Sequence, residues 1–352
     1  MKQVPVILLG AGGVGRALMA QLSESHEQIA ARHRCHFNVA AVADSGSWRW
    51  DPGGLGRAGL QEVVAFKKQN KALGDPRPAT PDVVETAVAA GLEKVIVVDL
   101  TAADGMEATL ERALAHGYGV VLANKKPLAG PWQTAQVYYG QPLVRYEATV
   151  GGGQPVIATL RYLLDTNDPP HRIEGQLSGT LSYICRRMEE GTRFSVALAA
   201  AKAKGYTEPD PRADLSGRDV MRKVMILGRT AGLPLEESDV AVESLYPSAL
   251  AHLDPLEFMV ASVALDAPLR ERVDAAGAAG ETLRYIGVLE NGRGTVGLEP
   301  VPMGSARSAM KYVSFSTERY DEAPLLIAGR GKGVELTAAA VLGDMIGLVR
   351  EM

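Results

Sequence analysis

A doubly wound α/β domain followed by a second, α+β domain is predicted by three features of the chain. Short apolar runs alternate with helical stretches through the first half, and a glycine cluster directly follows the first run. Beyond residue 150, helices and paired strands replace that alternation. Strands alternating with helices make βαβ units, whose parallel sheet carries helices on both faces. The 352 residues suffice for two domains, and 46% hydrophobic with 22% charged residues is ordinary for a folded globular chain.

Residues 4–9 (Val-Pro-Val-Ile-Leu-Leu) read as a buried parallel strand. A helical pattern covers 16–34, and a second apolar run, 37–43, ends at Asp44. Residues 48–79 are richer in Gly, Pro and charge and read as connection plus a helix over 61–70. Strands at 94–99 and 119–123 flank a helix over 106–115. A further strand, 143–148, leads to the cluster Gly151-Gly-Gly153. Helices are predicted over 155–164, 180–190, 194–204 and 216–231, and antiparallel strands over 283–289 and 294–301. A last helix, 336–348, follows Gly329-Arg-Gly-Lys-Gly333, and no regulatory domain is expected after it. The expected domains are 1–146, completed by 325–352, and 147–324.

The 37 basic and 41 acidic side chains give a net charge of −4 with no dense block of either sign. Phosphate-backbone binding needs clustered Lys and Arg, so nucleic acid is not expected as a partner. No apolar run reaches the roughly 18 to 20 residues of a membrane span. Met1 to Leu9 is too short an apolar start for a secretory signal. Cys35 and Cys185 can form neither a disulfide framework nor a Cys-rich zinc site. A reducing cytoplasm is the expected location.

Gly10-Ala11-Gly12-Gly13-Val14-Gly15 fits G-x-G-x-x-G between the first strand and first helix. The first glycine permits the turn, and the second lets backbone approach a pyrophosphate. The third allows close helix–strand packing, with the phosphates at the helix N-terminus. Asp44 stands 29 residues after Gly15. An acid at that strand end accepts from the ribose hydroxyls and favours NAD, although the usual spacing is roughly 20 residues. Arg49 and Arg57 offer the alternative of meeting a 2′-phosphate, so NAD and NADP both stay open. A solvated strand-end carboxylate is the plainer reading of Asp44.

Asn124-Lys125-Lys126-Pro127 follows a strand of the same sheet. Ligands of doubly wound folds sit outside the carboxyl ends of the strands, so one of the two lysines can face that crevice. Otherwise the pair is a solvated basic turn. In the second half, Ser216-Gly-Arg-Asp219 has the form of a capping box, and Lys223 lies one helical turn beyond Asp219. The two read either as a surface ion pair or as a lysine partly desolvated beside the stripe Val220, Val224 and Leu227. The second environment suits proton transfer.

Five segments in order resemble homoserine dehydrogenase over nearly the whole chain. They are Asn124-Lys-Lys126, Tyr146-Glu-Ala-Thr-Val-Gly-Gly-Gly153, Ser178-Gly-Thr-Leu-Ser-Tyr-Ile184, Gly205-Tyr-Thr-Glu-Pro-Asp-Pro-Arg212 and Asp214-Leu-Ser-Gly-Arg-Asp-Val-Met-Arg-Lys223. The likeness is to the short forms without a regulatory or kinase domain. It implies a Rossmann-type domain with an α+β substrate and dimerisation domain, and a homodimer formed through the second domain's sheet. It also implies reversible NAD(P)-dependent reduction of L-aspartate 4-semialdehyde to L-homoserine, on the route to threonine, methionine and isoleucine. By this resemblance Lys223 is the acid/base, Lys125 shares that work, and Glu208 and Asp219 hold the substrate, chiefly its ammonium. Gly13, Val14, Thr101, Lys125 and Gly333 line the cofactor with Gly10, Gly12 and Gly15. Glu147, with the carbonyls of Val150, Gly152 and Gln154, matches a monovalent cation site, commonly sodium.

Three departures stand out. Arg330 and Lys332 interrupt a loop that is small-residue-rich in the family, a Gly-Asp-Asn sequence is missing around 306–311, and Ala213 replaces a common acid. Two rival functions are weighed. An acylating semialdehyde dehydrogenase needs a cysteine nucleophile beside a base, and Cys185 falls inside a predicted helix. A non-catalytic NAD(P)-binding regulator has no reason to keep Glu208, Asp219 and Lys223 together.

Overall fold

The computed structural model describes residues 1–331 and 333–352, and the chain divides into two compact units. The first comprises Met1–Pro155 and the C-terminal segment ending at Met352; the second is Val156–Gly331. Both boundaries fall later than the sequence suggested, for local reasons. The Glu147 amide donates to Asp344 at 2.7 Å, and a Cβ on Gly153 would lie 2.7 Å from the Leu336 carbonyl. These contacts keep 147–155 with the C-terminal helix Val334–Glu351. Residues 325–328 instead form a strand of the second sheet.

In the first unit the strands are β1 (Lys2–Leu9), β2 (Cys35–Ala43), β3 (Ser47–Trp50), β4 (Asp75–Pro76), β5 (Ile96–Asp99), β6 (Gly119–Leu122) and β7 (Val144–Arg145). They form one sheet in the order β4-β3-β2-β1-β5-β6-β7. The run from β2 to β7 is parallel, and β3 and β4 add antiparallel at one edge. Val6, Ile7, Leu8, Ile96, Val97, Val98, Val120 and Val121 have no exposed surface. Such continuous apolar runs are what strands covered on both faces require. Ala338, Val341, Met345 and Leu348 of the C-terminal helix enter the same core.

Two local differences from the sequence reading matter for the site. The helix expected over 16–34 is two helices, Gly13–Glu24 and His26–His33. Ser25 (φ −99°, ψ 12°) closes the first through its amide on Gln21 and opens the second by accepting from Ile29. This added helix lengthens the path from Gly15 to Asp44. The Gly- and Pro-rich segment also hides β3, β4 and a helix that begins earlier than expected, Gly56–Lys68.

The second unit holds β8 (Arg172–Gly175), β9 (Val240–Val242), β10 (Glu281–Glu290), β11 (Arg293–Pro302), β12 (Tyr312–Ser316) and β13 (Leu325–Ala328). Their order is β13-β12-β8-β10-β11-β9, with β11–β9 the parallel pair and the others antiparallel. The β10–β11 hairpin closes on Asn291-Gly292, whose φ angles of 52° and 74° suit a tight hairpin turn. Helix Arg218–Thr230 lies on β10, and Gly287 permits the approach, since a Cβ there would come 2.6 Å from Val224 Cγ2. Among the described residues no helix is long and apolar enough to cross a membrane.

Candidate active site

Strand order reverses between β1 and β5, and the glycine loop leaves β1 at that point. Crevices at such reversals are where doubly wound sheets bind ligands. Gly10 has φ +108°, and a Cβ on it would lie 2.9 Å from the Leu100 backbone and 3.1 Å from the Thr101 amide nitrogen. Glycine is therefore required for the turn, and the turn abuts Thr101. A Cβ on Gly12 would meet open space, which leaves its backbone accessible. A Cβ on Gly15 would overlap the Gly10 carbonyl oxygen. The helix Gly13–Glu24 has neither a side-chain cap nor an acid in its first turn, so its terminal N–H groups suit a phosphate. A Cβ on Gly13 would approach Val334 Cγ1 to 3.0 Å, which places the loop beside Gly333 (φ +134°).

Asp44 lies at the end of β2, but its oxygens are occupied. Oδ1 accepts from the amides of Gly46 (2.9 Å) and Ser47 (2.8 Å) and from the Ser47 hydroxyl (3.1 Å). Oδ2 pairs with Lys67 Nζ at 2.8 Å. Burial alone would raise the Asp44 pKa; Lys67, the two amides and the hydroxyl outweigh it and bring it down to about 2. The carboxylate is thus a fixed anion built into a turn rather than a solvated strand end. Neither Arg49 nor Arg57 is among its partners. Arg49 pairs with Glu62 at 2.8 Å, and Arg57 lines a cavity of about 380 Å³ with Phe37, Asn38 and Val39 in the first half of β2.

Lys126 Nζ pairs with Asp104 at 2.7 Å, while Lys125 caps the short helix Lys126–Ala129. Glu147 sits in the single turn Glu147–Thr149, so the expected strand ends at Arg145. Gly151, Gly152 and Gly153 then take φ of +85°, +61° and +106°, angles that let a glycine segment turn its carbonyls inward. Gln154 is buried. Among the described residues, no three or more His, Cys, Asp or Glu side chains group as a metal site.

In the second unit, Lys223 Nζ donates to the Leu177 carbonyl at 2.6 Å and pairs with Asp219 Oδ2 at 2.6 Å. The lysine side chain is 14% exposed and the aspartate 45%. The capping box expected at Ser216 is absent. Ser216 caps the C-terminus of the preceding short helix, Arg212–Leu215, and its hydroxyl donates back to Ala213. Gly217 (φ +72°) caps helix Arg218–Thr230 instead, because a Cβ there would overlap the Tyr285 hydroxyl. Asp219 makes no cap and pairs with Lys223. Glu208 is exposed on a braced segment, with its amide donating to Asp214 Oδ2 at 2.8 Å. Arg212 pairs with Asp210 at 2.7 Å and donates to the carbonyls of Ala251 and Leu253.

Cys185 is fully buried in helix Gly179–Glu189, and burial pushes its thiol up to about 11. A neutral, inaccessible thiol is a poor nucleophile, which removes support for an acylating dehydrogenase. Arg330 is exposed, the segment at 306–311 includes the short helix Ala306–Ala309, and Lys332 lies outside the described residues.

Two family models match the chain: homoserine dehydrogenase over residues 155–346, and the homoserine dehydrogenase NAD-binding domain over 10–141. The chain belongs to the homoserine dehydrogenase family. A Schizosaccharomyces pombe homoserine dehydrogenase is 32% identical over 99% of this chain and 96% of its own length. A Haemophilus influenzae bifunctional aspartokinase/homoserine dehydrogenase is 35% identical over 98% of this chain, which spans 43% of that protein. The crystal structure of a putative homoserine dehydrogenase from Archaeoglobus fulgidus superposes with a TM-score of 0.78 at 28% identity, covering 98% of each chain. Sequence reasoning about this homoserine dehydrogenase relative missed Lys67, Asp99, Leu177 and Asp214. Asp214 lay inside a quoted motif and Asp99 closed an apolar run, whereas Lys67 and Leu177 carried no sequence signal.

Proposed function

We propose that the chain is an NAD(P)-dependent homoserine dehydrogenase that interconverts L-aspartate 4-semialdehyde and L-homoserine in amino-acid biosynthesis. The observation that carries this is Lys223, held by Asp219 and the Leu177 carbonyl inside a family match that spans both units. A bound nicotinamide supplies or takes up the hydride. Lys223 gives a proton to the aldehyde oxygen during reduction and accepts it back from the hydroxyl during oxidation. An ammonium has three donors, and the two contacts above use two of them. Lys125 shares the proton handling, while Glu208 and Asp219 hold the substrate ammonium. Asp219 restrains Lys223 as well, so its removal would affect both binding and proton transfer.

Gly10, Gly12, Gly13, Val14, Gly15, Thr101 and Gly333 hold the cofactor, its pyrophosphate at the N-terminus of helix Gly13–Glu24. Asp44 faces the adenosine ribose with Lys67 attached, so this strand end offers a cation together with an acid. That pairing supports use of NADP as well as NAD. The three positive-φ glycines support a sodium-sized cation held by Glu147 and the carbonyls of Val150, Gly152 and Gln154. Its charge would brace this turn against the C-terminal helix. The active form is a homodimer built through the second sheet, in a reducing cytoplasm.

The test is L-homoserine oxidation, followed by absorbance of the reduced nicotinamide with NAD and NADP in parallel. Turnover with homoserine is the expected result. Tight cofactor binding without turnover would move the assignment to a non-catalytic NAD(P)-binding regulator.

A further inference from the structure

Asp99 ends β5 with no exposed surface, flanked by β1 and β6, at the carboxyl edge of the sheet. A charged carboxylate so placed needs donors, and it has three. Oδ1 accepts from the Thr101 amide at 2.9 Å and the Thr101 hydroxyl at 2.7 Å. Oδ2 accepts from Asn124 Nδ2 at 3.1 Å. Asn124, itself buried, also donates to the Ala103 carbonyl at 2.9 Å and accepts from the Lys126 amide at 3.1 Å. The loops that leave β5 and β6 are therefore tied to one another around a buried acid, with Asn124 reaching Asp99, the Thr101 hydroxyl (3.3 Å) and the Ala103 carbonyl. One loop carries Thr101, which lies against Gly10, and the other carries Lys125.

We propose that Asp99 is a positioning residue: its carboxylate holds Asn124, and through it the turn that presents Lys125, in register with Thr101 and the glycine loop. Burial, the largest influence, raises its pKa, while Thr101 and Asn124 act against it. Keeping an ion here thus costs stability. By linkage, an acid raised in the folded state weakens the fold as pH rises through its folded value. A group serving stability alone gains nothing from this charge. A group serving geometry needs it, because two acceptor oxygens must face donors from both loops.

The inference rests on the dehydrogenase reading given above, and the experiment separates the two. Asp99→Asn keeps an acceptor for Thr101 but turns an amide donor toward the Asn124 donor. The expected result is a loss of turnover of roughly tenfold or more. The dissociation constant for the reduced cofactor, read by nicotinamide fluorescence, stays within about threefold. The thermal midpoint is unchanged or raised. Failure of the wild type itself to oxidise homoserine would sink the dehydrogenase reading. Wild-type activity with Asp99→Asn within twofold of it would overturn the positioning role. So would a fall in turnover that only follows a fall in thermal midpoint.

Discussion

In the nucleotide unit the candidate site is largely backbone. Gly10 and Gly15 have no room for a side chain, and the uncapped N–H groups of helix Gly13–Glu24 are the recognising atoms we propose. In the second unit the site is made of charged side chains, with Lys223 fastened to Asp219 and Leu177 on a helix of tightly fixed position. The contrast follows from the chemistry proposed for each. A diphosphate is a diffuse, chemically inert anion, which a row of dipoles can hold. A proton transfer needs one titratable atom at one place. Backbone sites fail through added bulk, and side-chain sites fail through lost function with binding intact.

Gly15→Val should have the largest effect, since its side chain overlaps the Gly10 carbonyl between β1 and the first helix. Nicotinamide fluorescence should detect no cofactor binding, and the thermal midpoint should drop. Next comes Gly287→Ala, whose methyl would press on Val224 at 2.6 Å under the helix that carries Lys223. Overpacking of this kind costs about 1–3 kcal/mol, read by denaturant melts, with slower turnover and unchanged cofactor binding. The smallest effect is predicted for Lys67→Met, which releases Asp44 Oδ2. The NAD-to-NADP preference, as a ratio of kcat/KM values, should move toward NAD by about fivefold, or ~1 kcal/mol. An unchanged ratio would mean that Asp44 does not face the ribose.

That last variant carries a pH signature. The Asp44 pKa lies near 2 in the folded chain, below the ordinary carboxylate value. Its contacts therefore stabilise the fold fully above pH of about 4 and lose effect as pH falls toward about 2. Without Lys67 that pKa rises, so the variant should be less stable at neutral pH. The gap between the two melting curves should narrow across that acid range.

The same contrast governs what the sequence reveals. The glycine loop was legible because the turn and the helix–strand contact exclude a side chain at Gly10 and Gly15. The two long strands were legible too, since 283–289 and 294–301 were expected as antiparallel strands and pair as β10 and β11. Other strands of the second sheet were not: β8 at its centre is four residues long, and its partners lie more than a hundred residues away in sequence. Lys67 was invisible for a similar reason, since nothing local ties it to Asp44. Ser216 misled, because a capping pattern says nothing about a preceding short helix that takes its hydroxyl. Asp99 left a faint sign. An acid closing an apolar run, with Thr two residues later and Asn soon after the next strand, is what a buried clamp looks like in sequence.

The division between a backbone site for the nucleotide and a side-chain site for the proton is tested most directly by Lys223→Ala, with turnover and cofactor affinity measured on one preparation. Turnover should fall at least roughly 10²-fold, the low end for a general acid-base group, while the cofactor dissociation constant stays at its wild-type value. Wild-type turnover in this variant, or loss of cofactor binding along with it, would contradict the account.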